Sequence, residues 1–335
     1  MKILYIPVTK KIREQNFKNY VLCFIYDVYI ILRNFSFKKK ITKNTSGYIE
    51  SAIYSNAKIF EVPYYYCLFF SSIFNLLFDG IFINWKFTNF RGDKKLEQKL
   101  INLAKKYKIK KVIVDSRDVG ISKINETVLN EFDFVIKREK NKSIINKKYL
   151  TTMLPCTLIN NEISNNQEPI NWNTIGKSQP NQNFKYDVFF SGKTTSKYRD
   201  EIIKLLNGKN YNFYGGLESS LLPYNQYLTT IYNSSINLAL EGKGEFTFRH
   251  LEILANCSFM MCEDSINQID LPLPIKDGEH FVSFNNNQDL QEKLDFYLQN
   301  ENKRQIIALN GRKLLENYYS PKKHGAMILK KIFLD

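Results

Sequence analysis

A glycine-rich loop followed by a helix-like segment carries the side chains best suited to bind an anion. Residues 240–255 read LEGKGEFTFRHLEILA, which predicts a helix near 247–256 with Arg249 and Glu252 on one face. Free amide groups and the helix dipole favour anions at a helix start. Arg249 could therefore bridge two phosphate oxygens while Glu252 accepts hydrogen bonds from ribose hydroxyls. The alternative is an ion pair between the two side chains, which would stabilise the helix by only about 0.2–0.5 kcal/mol.

A second loop of similar character lies at residues 191–196, which read SGKTTS and lead from a strand-like run into a helix containing Arg199. Gly192 would let the backbone approach a ligand closely, and Lys193 would add positive charge. It is not a Walker loop, because the earlier spaced glycine is missing. The alternative interpretation is an ordinary polar turn between a strand and a helix.

The third loop follows a strand predicted at Tyr211–Tyr214. Gly215 and Gly216 predict a flexible turn at its end, beside the Tyr214 ring, which could stack on a nucleobase. The alternative is a plain glycine turn with a tyrosine at the edge of the sheet.

These loops belong to a chain that alternates strand-like and helix-like segments. The clearest N-terminal unit has strands at Ile81–Trp85, Lys111–Asp115 and Phe132–Ile136. In the C-terminal half, strands are predicted at Asp187–Ser191, Tyr211–Tyr214, Ile236–Leu240, Phe259–Cys262 and Phe281–Phe284, with helices near 197–207, 224–233, 247–256 and 288–299. The predicted fold class is α/β, with two Rossmann-like, doubly wound domains that face each other across a cleft.

Domain boundaries follow from changes in composition. We predict an N-terminal domain at 1–160, a polar linker at 161–185 and a C-terminal domain at 186–319. Residues 320–335 are predicted to form a terminal helix that packs back on the N-terminal domain. The apolar stretch from Tyr64 to Ile83 contains Asp79, which favours a buried helix at about 64–77 over a membrane span. A helix on a membrane surface is the alternative.

The net charge of +15 over 335 residues calls for an anionic partner, although a coding bias towards Lys and Asn explains part of the excess. Nucleic acid, an acidic membrane and phosphorylated ligands or lipid-linked acceptors all qualify. Five scattered cysteines and three histidines have no zinc-site spacing, so we expect no metal site. Reduced thiols indicate the cytoplasm.

The C-terminal half resembles a known group of enzymes. The run LALEGKGEFTFRHLEILANCSFMMCED, with DGEHFVSFNNNQDLQEKLDFYLQN after it, is similar to the donor-binding domain of GT-B glycosyltransferases. It most resembles the exostosin-like and spore-maturation-protein-like families, and DVFFSGKTTSKYR resembles the opening of that domain. The resemblance covers about 186–320. It departs from the group at Glu245 and Glu252, which lie seven residues apart instead of eight, and at Cys257, where a glycine is common.

This resemblance implies a glycosyltransferase that moves a sugar from a nucleotide-diphosphate donor to a hydroxyl of a glycan, lipid-linked or protein-linked acceptor, without a metal or other cofactor. Arg249, helped by Lys193 or Lys243, would stabilise the departing diphosphate. Asp118, in the DSRD segment after a predicted strand, would deprotonate the acceptor; alternatively, Asp118 and Arg117 neutralise each other in a capping turn. The expected donor-binding residues are Gly192, Lys193, Thr194, Arg199, Tyr214, Gly215, Lys243, Gly244, Thr247, Arg249 and Glu252.

Two other functions compete with this interpretation. A noncatalytic nucleotide-sugar-binding protein would keep Arg249 and Glu252 but lack the acceptor base. A nucleic-acid-binding protein would suit the charge, yet no binding motif is present and the lysines lack interleaved aromatics, so nucleic acid is not an expected partner. We expect a cytoplasmic protein of cell-surface glycan biosynthesis. The basic charge and the aromatic stretch Tyr64–Phe70 motivate a hypothesis of peripheral contact with the anionic inner face of the membrane.

Overall fold

The computed structural model describes residues 1–6, 47–62, 76–85, 94–115, 117, 123–153, 156, 158, 170–218 and 221–335. The first sheet has six parallel strands in the order β2-β1-β3-β4-β5-β7. They are β1 (Lys2–Ile6), β2 (Lys58–Glu61), β3 (Gly80–Asn84), β4 (Lys110–Asp115), β5 (Phe134–Lys137) and β7 (Tyr149–Thr151). The described helices of this part are α1 (Gly47–Tyr54), α2 (Lys94–Lys106) and α3 (Glu126–Glu131).

This sheet is covered on both faces, because successive side chains of its strands enter opposite cores. Leu4 and Ile81 pack with Leu100 of α2 on one face. Ile3 and Phe82 belong to the core on the other face. All residues of β3 are buried, as expected of a central parallel strand.

The second sheet has five parallel strands in the order β13-β11-β10-β8-β9. They are β8 (Tyr186–Gly192), β9 (Phe213–Leu217), β10 (Ser234–Ala239), β11 (Met260–Glu263) and β13 (Val282–Phe284), connected by helices α4 (Lys197–Asn207), α5 (Tyr224–Tyr232) and α6 (Phe248–Ala255) and followed by α7 (Asn287–Gln299). Phe190 packs with Ile202 of α4 and Leu290 of α7, whereas Phe189 packs with Ile231 of α5 and Leu251 of α6. The doubly wound α/β fold class is thus confirmed.

Two long helices complete the chain: α8 (Glu301–Tyr318) and α9 (Pro321–Phe333). Helix α9 lies against the first sheet, where Leu329 and Ile332 join the core around Ile3. Its Gly325 contacts α1 so closely that a Cβ there would lie 2.0 Å from the carbonyl oxygen of Ala52. Helix α9 therefore packs on the first domain, whereas α8, which precedes it, packs on the second domain.

Two further features hold the domains and the linker segment in place. A short antiparallel pair joins β6 (Lys140–Asn141), after β5, to β12 (Ile269–Asp270), after β11. Arg312 of α8 is buried, and it donates hydrogen bonds to the carbonyl of Ile175 at 2.7 Å and to those of Ala255 and Trp172 at 2.5 Å each. These bonds tie the segment around Trp172 to the second domain.

Sequence patterns missed some of these elements. The short pair β6 and β12 and the strand β7 have too few residues to show a periodicity. Most of the helix expected at 64–77 lies outside the described residues. Among the helices that are described, none combines the length and the apolar composition needed to cross a membrane.

We predict that Gly325→Ala lowers the free energy of unfolding by about 1–3 kcal/mol, because the added Cβ overpacks the contact between α9 and Ala52. Helix propensity alone would favour the alanine by about 1 kcal/mol, so a loss of stability reports the clash. Urea unfolding measures the effect. Lys323→Ala places an alanine at an exposed position of the same helix and should change stability by no more than about 0.5 kcal/mol. Equal stability of the two variants would contradict the packing of α9.

Candidate functional site

Two arginines meet on one aromatic ring at the carboxyl ends of the second sheet. The guanidinium carbon of Arg249 lies 4.4 Å from the ring centroid of Phe190, and that of Arg199 lies 5.3 Å from the same centroid. Arg249 donates to the carbonyl of Ser191. Arg199 donates to the carbonyl of Lys193 at 2.6 Å and to that of Leu240 at 2.8 Å. The loops after β8 and β10 are therefore held together by cationic side chains.

The start of α6 places Arg249 in the first helical turn. Thr247 is the N-cap residue, and its backbone amide donates to Nδ1 of His250 at 3.1 Å. Burial, and after it the charge of Arg249, lower the pKa of His250 to about 3. The imidazole is therefore neutral and accepts this hydrogen bond. His250 is therefore a buried capping residue.

The electrostatics of the arginine pair favour an anion. Arg199 is 4% exposed, and burial together with the neighbouring Arg249 lowers its pKa to about 10. Within the described part of the chain, Nε of each arginine is buried without a hydrogen-bond partner. A buried donor without a partner costs about 1–3 kcal/mol, and two adjacent cations also repel each other. An oxyanion between the two groups would relieve both costs.

Gly192 lies close to the side chain of Arg249 where the first loop begins. A Cβ on Gly192 would lie 2.9 Å from Nη2 of Arg249 and 2.9 Å from the Phe190 ring. A side chain at this position would therefore displace the guanidinium from the end of β8. This contact is the physical reason for the glycine that the sequence pattern singled out.

Glu252 and Arg249 share one neighbour, because both side chains lie next to the hydroxyl of Tyr227. The carboxylate of Glu252 is 5% exposed and accepts hydrogen bonds from the hydroxyls of Tyr227 at 2.9 Å and Tyr224 at 3.3 Å. Arg249 also donates to the carbonyl of Ser191 and lies over the Phe190 ring. Each side chain thus has contacts beyond those of the ion pair considered as the alternative.

The remaining loop residues lie near the arginines with less direct roles. The amide of Thr194 donates to Oε1 of Glu218 at 2.7 Å, and the carbonyl of Gly244 accepts from the amide of Gly242 at 3.0 Å. Lys193 and Lys243 are exposed at the rim of the site. Both lysine side chains are thus accessible to a ligand.

The expectation of a flexible turn at Tyr214 and Gly215 is wrong, because both residues lie inside β9. The Tyr214 ring stacks on Tyr186, with centroids 4.3 Å apart and planes 9° apart. Gly215 has a φ of 105°, and a Cβ there would lie 1.9 Å from the carbonyl oxygen of Phe190. Its glycine serves strand packing at this point, and the tyrosine ring is used within the protein.

At the carboxyl ends of the first sheet, Asp115 joins two cations. Arg117 binds its carboxylate through Nε and Nη2, both at 2.8 Å, and Nζ of Lys137 lies 3.1 Å away. Burial alone would raise the pKa of Asp115, but Lys137 and Arg117 outweigh it and hold that pKa below its ordinary value. Arg117 is thus engaged with Asp115. The predicted base Asp118 lies outside the described residues.

Sequence reasoning did not single out Glu263, which ends β11 and lines a cavity of about 290 Å³ with Ser196, Tyr198 and Glu241. Burial raises its pKa to about 7 against the opposing effect of a 2.6 Å hydrogen bond from the amide of Glu241. The signal in the sequence that could have found Glu263 is the acidic pair Glu263 and Asp264, which follows the apolar run MMC. Among the described residues, no group of three or more His, Cys, Asp or Glu side chains is arranged to hold a metal ion.

We predict that Glu263 makes stability depend on pH. Its folded pKa of about 7 lies above its ordinary value of 4.5, so the folded state binds more protons between these limits and loses stability as pH rises through them. The cost is on the order of 3 kcal/mol at most. Glu263→Gln should remove this part of the pH dependence between pH 5 and pH 8. Urea unfolding of both proteins at both pH values tests it, and parallel pH profiles would show that the carboxyl is not perturbed.

Comparisons with known proteins concern the second domain and the overall fold. A family model described as glycosyl transferase-like matches residues 199–330, whereas none of the curated proteins matches the sequence. The sucrose-phosphate synthase of Thermosynechococcus elongatus has the same fold, with a TM-score of 0.51 at 8% identity over 98% of each chain. HepE of Anabaena, solved with UDP-glucose, has a TM-score of 0.48 at 10% identity over 99% of each chain.

A chain of the GtfA/B complex has a TM-score of 0.47 at 11% identity, and the alignment covers 80% of the present chain and 60% of the GtfA/B chain. The present chain thus spans less than two thirds of the length of that protein. The narrower resemblance to exostosin-like and spore-maturation-protein-like families stays a prediction. Residues 199–330 match the glycosyl transferase-like family model, and the chain as a whole has the two-domain GT-B fold.

Proposed function

We propose that the chain transfers a sugar from a nucleoside-diphosphate donor, with the diphosphate held between Arg199 and Arg249. The observation that carries this proposal is the pair of guanidinium groups on Phe190, each with a buried Nε that lacks a partner within the described chain. The start of α6 adds the positive end of its helix dipole at the same place. A diphosphate supplies the two adjacent negative groups that this arrangement would bind.

The arginine pair also accounts for catalysis. When the bond between the anomeric carbon and the phosphate oxygen breaks, negative charge grows on the departing diphosphate. A guanidinium already held at that position stabilises the charge without having to reorganise. Arg249 would carry this role, and the exposed Lys193 and Lys243 would assist from the rim. These cations would stabilise the leaving group, so the proposed reaction needs no metal ion.

The nucleoside would lie beside Glu252. Its carboxylate is held by two tyrosine hydroxyls of α5, one turn along α6 from Arg249. A carboxylate in this position accepts hydrogen bonds from vicinal hydroxyls, as a ribose presents. Loops that follow neighbouring strands would thus bind phosphate and ribose together.

The acceptor would enter from the first domain. Arg138, which follows β5, is buried and donates to the carbonyl of Phe246 at 3.5 Å, so the first domain meets the loop that leads to Arg249. Asp118 is the proposed base, in the segment that follows β4. Its neighbour Arg117 is anchored on Asp115, which leaves Asp118 as the carboxylate of that segment for the acceptor hydroxyl. A glycan, lipid-linked or protein-linked hydroxyl is the proposed acceptor.

The proposed location is the cytoplasm. Cys257 and Cys262 are buried thiols that form no disulfide. Buried, reduced thiols fit a reducing compartment.

We predict that Arg249→Ala lowers kcat by about 10²–10³, the usual loss on removing one preorganised donor to a developing oxyanion. Arg249→Lys should recover only part of the activity, because a point charge cannot form the fork of a guanidinium. Initial rates with UDP, GDP, CDP and dTDP sugars, after thermal-shift screening for the stabilising base, provide the measurement.

Lys209→Ala is the matched control, since it removes one exposed charge from the same domain away from the site. It should leave the rate unchanged. Full activity of Arg249→Ala would exclude the proposed phosphate site. Donor stabilisation without turnover in the unmodified protein would favour a noncatalytic binder.

We predict that Asp118→Asn lowers the transfer rate by about 10²–10⁴ and leaves donor binding unchanged, because general-base catalysis acts on the acceptor alone. Rates of transfer and thermal shifts with the donor separate the two effects. Asp115→Asn is the contrasting variant. It should lower stability instead, because it weakens the ion pairs of the buried Lys137. If Asp118→Asn transfers the sugar at the normal rate, another residue is the base.

A further inference from the structure

A row of exposed lysines crosses the amino edge of the first sheet, at the opposite end from the proposed reaction site. Lys58, Lys2 and Lys110 begin β2, β1 and β4, and all three are exposed. In the register of the sheet, Lys2 lies opposite Lys58, whereas Lys110 is in register with Gly80 and Ile3, so its side chain leaves the edge on the other face. Neighbouring strands are about 4.8 Å apart, so the backbones of the three lysines lie within roughly 15 Å along one edge.

A fourth lysine adds to the row from another element. Lys330 of α9 is exposed and lines a cavity of about 470 Å³ together with Met1 and Asp79. Among the described residues, no salt bridge neutralises these four lysines; Lys58 and Lys110 instead lie 5.6 and 5.8 Å from the ring centroids of Phe60 and Phe134. Asp79 accepts a hydrogen bond from the backbone amide of Lys2 at 2.7 Å. The surface therefore keeps a positive charge.

Apolar side chains stand beside the lysines instead of the usual polar surface. Leu334 is 78% exposed and Met1 is 47% exposed, and both line the same cavity as Phe333 and Leu329. Leu76, just before Asp79 in the chain, is 88% exposed. Large apolar side chains gathered at one cationic surface indicate a binding surface.

We propose that this surface, formed by Met1, Lys2, Lys58, Lys110, Lys330 and Leu334, binds the anionic phospholipid headgroups of a membrane. Lysines next to an anionic bilayer attract its surface charge, and exposed Leu and Met side chains enter the boundary between headgroups and acyl chains. The long lysine side chains can hold their charges at the headgroup level while their stems contact the apolar residues.

Two other partners fit the observations less well. Nucleic acid binds to aromatic platforms and basic grooves, whereas the exposed apolar residues here are aliphatic. A second copy of the chain would place two identical positive surfaces against each other across a symmetric interface, which like-charge repulsion opposes. An anionic membrane satisfies the lysines and the leucine together.

The orientation has a consequence for the acceptor. The proposed reaction site lies at the carboxyl ends of the strands, and β1 has five residues, which separates the two edges by about 16 Å. A protein bound through its amino edge holds its cleft away from the bilayer. An acceptor hydroxyl on the outer sugars of a lipid-linked glycan reaches this position better than one next to the lipid.

Vesicle flotation tests the proposal and requires no donor, so its failure is separate from failure of the proposed function. The protein is floated with vesicles of phosphatidylcholine alone and of phosphatidylcholine with phosphatidylglycerol at three to one, at low and high salt. The test variant combines Lys2→Gln, Lys58→Gln, Lys110→Gln and Lys330→Gln. A matched control combines Lys204→Gln, Lys209→Gln, Lys303→Gln and Lys313→Gln, which are exposed lysines of the second domain and α8.

We expect flotation only with phosphatidylglycerol and at low salt. Each lysine contributes about fivefold to the partition coefficient, so the test variant should lose more than about a hundredfold while the control keeps most of its binding. Leu334→Glu should weaken binding severalfold with the lysines intact. All substituted positions are exposed, so thermal midpoints should stay unchanged and confirm folding.

Several outcomes would overturn the proposal. The proposal is wrong if the protein binds both vesicle types equally, if the control variant loses as much binding as the test variant, or if the test variant floats as the unmodified protein does. Each of these results would assign binding to another surface or to net charge. Binding of duplex DNA that excludes the vesicles would assign the surface to nucleic acid. A dimer in light scattering that Leu334→Glu dissociates would assign it to a second copy of the chain.

Discussion

The arrangement of two like-charged guanidinium groups on one phenylalanine ring constrains the whole second domain. Arg199 comes from α4 and Arg249 from α6, and both reach the ring of Phe190 near the end of β8. Repulsion between the cations opposes this arrangement. Backbone carbonyls that emerge from the ends of β8 and β10 offset part of it, because they accept hydrogen bonds from both groups. The remaining imbalance is what an anionic donor would neutralise.

The position of this pair relative to the first domain depends on polar contacts as much as on apolar burial. Arg312 is 1% exposed and binds carbonyls of the linker segment and of α6 together. Gly311 beside it permits close approach, since a Cβ would lie 2.5 Å from the Leu254 side chain. Helix α9 then crosses to the first sheet, and the pair β6 and β12 adds a hydrogen-bonded contact on the other side. The cleft is thus flanked by short, directional contacts.

Positive charge has two distinct physical uses in this molecule. Arg199 is buried and Arg249 is half-buried, so a lowered local dielectric strengthens their attraction for a small anion and solvent screens it weakly. The lysines at the amino edge are exposed, so each contributes little alone and their effect depends on salt and on the density of opposing charge. The net charge of +15 includes both the arginine pair and the exposed lysines, so its value does not show which role a given charge has.

The sequence by itself determined the alternation of strands and helices, because periodic apolar residues reveal local structure. It also indicated the loops around Gly192 and Arg249, since glycine next to a cation at a helix start is suited to binding an anion. Only the tertiary structure decided which residues meet. It turned Gly215 and Tyr214 into packing residues, paired Arg117 with Asp115, buried His250 as a cap and raised the pKa of Glu263. Contacts between distant segments depend on strand order and register, and no local pattern encodes these.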